Sequence, residues 1–342
     1  MHDWRHELDV DPLPWLLEEV DPGPRHLALR DLVGFAADDP ALLAARRAAM
    51  SADPIASFFA AQDDEGWWVQ PGNGYGPKYS GTVWSLMFLD QLGADGADPH
   101  VRRACEYVLA WTQTDSGGFG FSSSGRGRSV PSSAVHCLNG NLLHAMLDFG
   151  YAADARIQRS IDWQVAAVTG EGMDRWYSIL PGPGLQCGGN QGPCAWGAVK
   201  VLLALTRIPA SGRTTAVERA IDVTARFLLG QDPAEASYPH AAGSSPVNGS
   251  WFKLAFPLGY VTDVLQNVEA LCAAGFAADP RLDHAFEWLL AQRDGQGRWR
   301  NGYAYQGKLV RDIDRQGQPS KWVTIRACRA LKARAEARSQ AR

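Results

Sequence analysis

The sequence predicts an all-α fold, a single (α/α)6 toroid in which a barrel of inner helices is surrounded by outer helices. Three observations predict it. A stretch with helical periodicity recurs along the chain; a second, more apolar helix lies between the copies; and strand signals are close to absent. Clear copies begin at Asp53 (DPIASFFAAQDDEGWW), Asp98 (DPHVRRACEYVLAWTQTDSGGFG), Asp154 (DARIQRSIDWQVAAVTGEGMDRW) and Asp279 (DPRLDHAFEWLLAQRDGQGRW), with a degenerate one at Thr214.

Each copy opens on an Asp or Thr suited to cap a helix, often with Pro at the first helical position. Apolar residues then recur three and four apart, as in Ala104, Tyr107, Val108 and Trp111, which marks an outer helix with one wet face. The intervening stretches, such as YSGTVWSLMFLDQLG, CLNGNLLHAMLDFGY, CAWGAVKVLLALTRIP, GYVTDVLQNVEALCAAGF and KWVTIRACRALKA, are apolar nearly all round and belong inside. Counting HLALRDLVGFAADDPALLAARRAAM as the opening inner–outer turn gives six helix pairs over residues 26–333. Residues 1–25 are an N-terminal extension and 334–342 a charged tail expected to fray.

Inner-to-outer links are short, whereas outer-to-inner links are long: Val69 to Lys78, Phe121 to Val135, Tyr177 to Pro193, Pro239 to Phe256 and Arg300 to Pro319. In a toroid these long loops gather at one end, over the N-termini of the inner helices. Long loops on a rigid scaffold usually carry sites, so the mouth at that end is the expected location.

Composition bounds the function. A net charge of −4 and no basic stripe exclude a nucleic-acid footprint. The first residues, MHDWRHELDVDPLPWLLEEV, lack the apolar core of a secretory signal, and no run reaches the ~18 apolar residues of a membrane span. Six cysteines at irregular spacing fit reduced thiols in a cytoplasmic protein. Peripheral membrane contact stays open.

At QTDSGGFG and QRDGQGRW the chain resembles the prenyltransferase and squalene oxidase repeat shared by squalene–hopene cyclases, oxidosqualene cyclases and protein prenyltransferase β-subunits. The resemblance runs from about Asp53 to Leu331. It implies the toroid, and it implies scaffold roles for Gln62, Trp67, Gln113, Phe119, Gln292 and Trp299: the Gln caps a helix end and the ring stacks on a neighbour. The family's chemistries do not carry over as written. Squalene-type cyclases protonate an alkene with a D-x-D-D motif, and ionising terpene synthases hold metal with D-D-x-x-D; neither string occurs. Protein prenyltransferases bind zinc through Asp-x-Cys and a distant His, but here Gly192 stands at the Asp position before Cys194, and GYVTDVL lacks the His.

Three groups of candidates remain. Cys137 and Cys194 each fall in the first turn of an inner helix in successive repeats, with Cys187 in the loop before the second. Helix N-termini favour thiolates, so these three with His136 or His240 form a candidate Zn2+ site, with zinc as Lewis acid. Inert core thiols, a nucleophilic cysteine and an internal thioester at CGGNQ stay open alternatives. Rings at the mouth, among them Trp68, Tyr79, Trp176, Tyr177, Trp251, Phe252, Tyr303 and Trp322 with Lys321, suit an apolar, isoprenoid-type substrate and would stabilise a carbocation. Basic loop residues including Lys78, Arg126, Arg128, Lys253, Lys308 and Arg311, together with Lys200, are candidates for a diphosphate. Asp263, read as lying on an apolar inner helix, is the first candidate proton donor, followed by Asp312 and Asp314.

The leading expectation is therefore a terpenoid-cyclase-like enzyme acting on an apolar small molecule at the barrel mouth. The alternatives are a lipid- or peptide-binding toroid without catalysis, or a carbohydrate-active enzyme, which requires facing carboxylates. For the latter, Asp312 or Asp314 with Asp263 or Glu171 are the available pairs.

Overall fold

The computed structural model describes residues 4–125, 127–170, 194–238 and 247–340. The predicted site residues Trp176, Tyr177, Cys187 and His240, with Arg126 and Glu171, lie outside them. The fold is all-α; among the described residues no strand forms, only isolated bridges such as Gln113 with Phe119.

Two short helices, α1 (Leu13–Leu16) and α2 (Pro22–Ala28, extended by a π-turn at Leu29–Val33), precede α3 (Pro40–Met50) and α4 (Ile55–Ala60). Then apolar and amphipathic helices alternate: α5 (Thr82–Gln91), α6 (Pro99–Trp111), α7 (His136–Asp148), α8 (Ala155–Thr169), α9 (Ala195–Thr206), α10 (Thr215–Leu229) and α11 (Val264–Leu271, extended by a π-turn at Cys272–Phe276). The series ends with α12 (Asp283–Ala291) and α13 (Lys321–Gln340). The starts at Asp98, Asp154, Thr214 and Asp279 behave as caps, whereas Asp53 caps no helix and α4 begins after Pro54. Asp98 accepts from His100 N at 2.8 Å, Asp154 from Arg156 N at 2.7 Å and Thr214 from Val217 N at 3.3 Å, each satisfying an orphan donor of the first turn.

Helices α5, α7, α9, α11, α13 and α2 touch in that cyclic order, either helix to helix or, at the α2–α5 junction, through Gly93 against Leu27 and His26. The tightest seam is α7 on α9. A Cβ on Gly140 would stand 2.5 Å from the backbone carbon of Lys200, so glycine is what lets these two helices approach. From Thr82 to Leu89 every residue of α5 is buried, as an inner helix requires.

The repeated Gln-to-Gly turn ties neighbouring repeats together. Gln62 Nε2 donates to Gly66 O at 3.3 Å and to His100 O at 3.0 Å, and Gln113 Nε2 to Gly117 O at 3.3 Å and Arg156 O at 2.7 Å. Gly66 and Gly117 hold positive φ (97° and 95°) with no room for a Cβ against the carbonyls of Arg103 and Arg159. Two residues after each turn glycine comes the scaffold ring. Trp68 Nε1 donates to Phe58 O and Trp299 Nε1 to Leu289 O, both at 2.7 Å, and the Trp68, Phe119 and Trp299 amides are taken by Thr82, Asn139 and Thr324 side chains.

This register corrects two sequence readings. The scaffold ring of the first copy is Trp68, not Trp67, so Trp68 is fully enclosed rather than facing a substrate. In the last copy the residue four before the turn glycine Gly297 is Arg293, not Gln292, and it reaches Asp9 of the N-terminal segment at 2.6 Å. Residues 4–16 accordingly pack on α13 and beside the last turn: Val10 O fills the space over Gly297, and Glu7 pairs with Arg334 at 3.4 Å. Helix α13 continues to Gln340, with Arg334 and Arg338 both reaching Asp283, at 3.1 and 2.6 Å.

Candidate functional site

Among the described residues, parts of the long loops fold inward over the mouth where the sequence places the site. Segment 256–260 runs between the inner helices. Gln91 on α5 exchanges bonds with Leu258 N and O (2.6 and 2.7 Å), Asn141 on α7 donates to Gly259 O at 3.1 Å, and Phe256 lies flat on Trp322 of α13, centroids 4.8 Å apart. Above it the rings pack on one another: Tyr79 on Trp84 (5.0 Å) and Tyr305 (4.6 Å), Tyr303 on Tyr305 (4.6 Å), and Trp251 on Tyr238 (5.1 Å). Trp251 and Trp322 are buried, while Phe252 is exposed beside Trp288. Lys321 turns to Glu18 and Asp21, at 2.8 and 2.5 Å. The described rings at this end pack on one another and on the inner helices.

The cavity lies lower, between the inner helices, and has a volume of about 470 Å³. Every inner helix contributes: Met87, Asp90 and Gln91 from α5, Asn141, His144 and Asp148 from α7, Lys200, Leu203 and Thr206 from α9, Gln266 and Glu269 from α11, Arg326, Arg329 and Ala330 from α13, and Arg30 with Asp31 from the π-turn after α2. Phe256 and Leu258 close the inner end. None of Trp68, Tyr79, Trp251, Phe252, Tyr303, Trp322 and Lys321 lines it. The physical reason is reach: long loops can fold over the axis, while the short links at the opposite rim turn back at once and leave it open.

The lining is charged and mostly paired. At the rim Arg30 grips Asp31 (2.6 and 3.0 Å), which also receives Arg329, and Arg207 reaches Asp148. Despite its burial, the two guanidiniums hold the Asp31 carboxyl below its usual range. Deeper in, Arg326 joins Glu269 (2.7 Å), Asp263 (3.1 Å) and Ala255 O (2.7 Å). Burial raises the Glu269 carboxyl in spite of Arg326.

His144 Nδ1 and Asp90 Oδ2 stand 2.9 Å apart. Burial raises Asp90; burial alone would lower His144, but the charge and hydrogen bond of Asp90 raise it. Both shifts run toward the protonated side, and the two groups titrate as one unit. With Asp148 these residues form a group whose ligand atoms lie within 4.8 Å of one another, the one such group of three His, Cys, Asp or Glu among the described residues.

Lys200 is 1% exposed, and its hydrogen bond to Gln266 Oε1 is long, 3.4 Å. It makes no ion pair among the described residues. Burial lowers its pKa to about 8, partly opposed by Cys137, Cys194 and Asp263.

Asp263 is not inside an inner helix but caps one. It accepts from Gln266 N at 2.7 Å, from Ala255 N at 2.8 Å and from both terminal nitrogens of Arg326. Both of its carboxylate oxygens are engaged in holding α11, the 253–262 loop and α13 together. Asp314 accepts from Asn301 and Ser320 (2.9 and 2.5 Å), and Asp312 from Gly307 N at 2.8 Å in an exposed turn. The basic loop residues are dispersed: Arg311 pairs with Asp53, Arg128 with Asp115, and Lys308 with Tyr303.

Cys137 and Cys194 do come to adjacent helix starts, both near enough to influence Lys200. Cys194 Sγ caps α9 by accepting from Gly197 N at 3.4 Å. His136 meets Gln164 at 3.1 Å and is kept neutral, its pKa lowered by burial to about 3. Cys137, Cys194 and His136 do not bring three ligand atoms within 4.8 Å. A zinc set there would need Cys187 or His240.

Asp90, His144, Glu269 and Arg326 escape a reading of the sequence that looks to the loops. Their signal is a charged residue within an otherwise apolar inner helix, as in LMFLDQ, LLHAMLD, NVEAL and TIRACRA. The same signal singles out Asp263 and Lys200, and it extends to these four.

No protein-family model matches the chain, and no curated protein matches it. Among solved structures it is similar to a variant of the type II terpene cyclase MstE from Scytonema, in complex with its substrate geranylgeranyl dihydroxybenzoate. The identity is 13%, covering 83% of this chain and 94% of that one, with a TM-score of 0.29. An overlap that loose carries no chemistry across.

Proposed function

We propose that the chain is an (α/α)6 toroid, its N-terminal residues 4–16 standing as the sixth outer element, and that it is a terpenoid-cyclase-like enzyme acting on a small isoprenoid in the axial cavity. The observation that carries this reading is the 470 Å³ cavity to which every inner helix contributes, a volume within the ~300–1,000 Å³ range of small-molecule sites. Met87, Leu203, Phe256 and Leu258 offer apolar wall to a hydrocarbon segment. The arginine–carboxylate rim suits a polar end, so the expected substrate is amphiphilic rather than wholly apolar.

In this reading Asp90, hydrogen-bonded to His144, replaces Asp263 as proton donor. A buried carboxyl shifted toward its protonated form is suited to protonate an alkene, with His144 restoring the proton after turnover. The Phe256 face is the ring available to a developing cation. No helix among the described residues is long and apolar enough to cross a membrane. Zinc held by Cys137, Cys187 and Cys194 with His136 or His240 stays a separate proposal, supported by the adjacent helix starts of Cys137 and Cys194.

The test is incubation with linear isoprenoid alcohols, diphosphates and prenylated phenols, with products read by mass spectrometry. Wild type should convert at least one substrate, and Asp90→Asn should lose about a hundredfold or more of that rate while keeping the wild-type circular dichroism. Turnover unchanged in Asp90→Asn would remove the proposed acid. No conversion and no binding of any isoprenoid would remove the substrate class.

A further inference from the structure

Lys200 is the cavity residue that proton transfer leaves unused. It projects from the middle of α9, a helix whose every residue from Gly197 to Leu202 is buried. Burying an ammonium without a carboxylate partner is costly. The other deep cation, Arg326, is matched by Asp263 and Glu269, and the rim arginines by Asp31 and Asp148. Among the described residues Lys200 has only the neutral amide of Gln266, whose Oε1 also accepts from Thr262. The environment therefore holds a larger share of this amine uncharged than in an exposed lysine, and an uncharged amine facing a cavity is a nucleophile.

We propose that Lys200 is a carbonyl-trapping residue, forming an imine with an aldehyde or ketone that enters the axial cavity. The amine nitrogen adds to the carbonyl carbon to give a carbinolamine. A proton delivered to its hydroxyl lets that group depart as water, and loss of the remaining N–H proton leaves the neutral imine. Glu269 lines the same cavity but is held by Arg326, so solvent at the open rim supplies the proton. No oxidant or reductant is consumed. The ligand class is an apolar or amphiphilic aldehyde, because Met87, Leu203, Phe256 and Leu258 share the cavity with the amine. This inference rests on the cavity as a ligand site and not on isoprenoid turnover, so the two fail separately.

The experiment treats the full-length protein at pH 7 with citral or hexanal plus cyanoborohydride, which reduces an imine to a stable secondary amine. Modified lysines are then located by peptide mass spectrometry. A pKa of about 8 against the ordinary 10.5 gives Lys200 about 300 times more neutral amine at that pH than an exposed lysine. Even with its lower intrinsic nucleophilicity, Lys200 should be labelled at least tenfold faster than the exposed Lys253 and Lys308. Label confined to exposed lysines, with the Lys200 peptide unmodified, overturns the proposal in wild type alone, whatever the folding of variants. Lys200→Met that melts as wild type should lose the fast adduct. Persistence of that adduct in the variant also overturns it.

Discussion

Arg326 is the buried hub on which the cavity wall depends, and replacing it with Met removes the charge while keeping much of the volume. The guanidinium, about 5% exposed, serves Asp263, Glu269 and the carbonyl of Ala255. Arg326→Met therefore strands the buried Asp263 carboxylate, the half-buried Glu269 carboxylate and one carbonyl oxygen. Breaking one partner of a buried ion pair costs about 3–5 kcal/mol. With an unfolding entropy of about 2.1 cal/mol/K per residue, 342 residues give about 0.7 kcal/mol per degree, so the melting temperature should fall by roughly 4–7 °C. The loss should also depend on pH. Burial already holds Glu269 above its ordinary value in the presence of Arg326, and without Arg326 it rises further. A carboxyl whose folded pKa is raised contributes stability below its unfolded value and loses it as pH rises through the folded one. The deficit of Arg326→Met should therefore be larger at pH 7 than at pH 5, and Glu269→Gln added to it should recover part of the loss. Urea or thermal unfolding of the two proteins at both pH values measures this. A variant as stable as wild type, or one whose deficit is the same at both pH values, would refute the reasoning.

Two other outcomes are expected. Gly140→Ala places a methyl 2.5 Å from the Lys200 backbone, and because backbone cannot rotate away it should cost at least the upper part of the ~1–3 kcal/mol range for overpacking. Thermal unfolding checks this, and an unchanged melting temperature would mean that α7 and α9 are not so closely apposed. Metal analysis of untagged protein should give about one zinc per chain, lost in Cys194→Ala, if Cys187 or His240 completes the set; metal-free protein in both returns the thiols to helix capping and core.

What the sequence determined by itself follows from local physics. Helical period, Asp and Thr caps, and the alternation of apolar with amphipathic stretches each depend on residues a few positions apart, so the all-α class and the order of the elements were legible. The Gln-to-Gly turn was legible as scaffold for the same reason, although its ring fell one residue late at Trp68 and its last copy uses Arg293. The end of the barrel that holds the cavity was not legible. Loop length indicates where chain accumulates, but not whether that chain stands open or folds onto the axis, and segment 256–260 does the latter through Gln91 and Asn141. Nor can spacing show that Arg326 captures Asp263 across 63 positions, or that Lys200 is the deep cation left without a carboxylate among the described residues. Which buried charges are neutralised is decided by neighbours from other helices. Only the closed tertiary arrangement brings those neighbours within the few ångströms over which a low-dielectric interior makes charge pairing decisive.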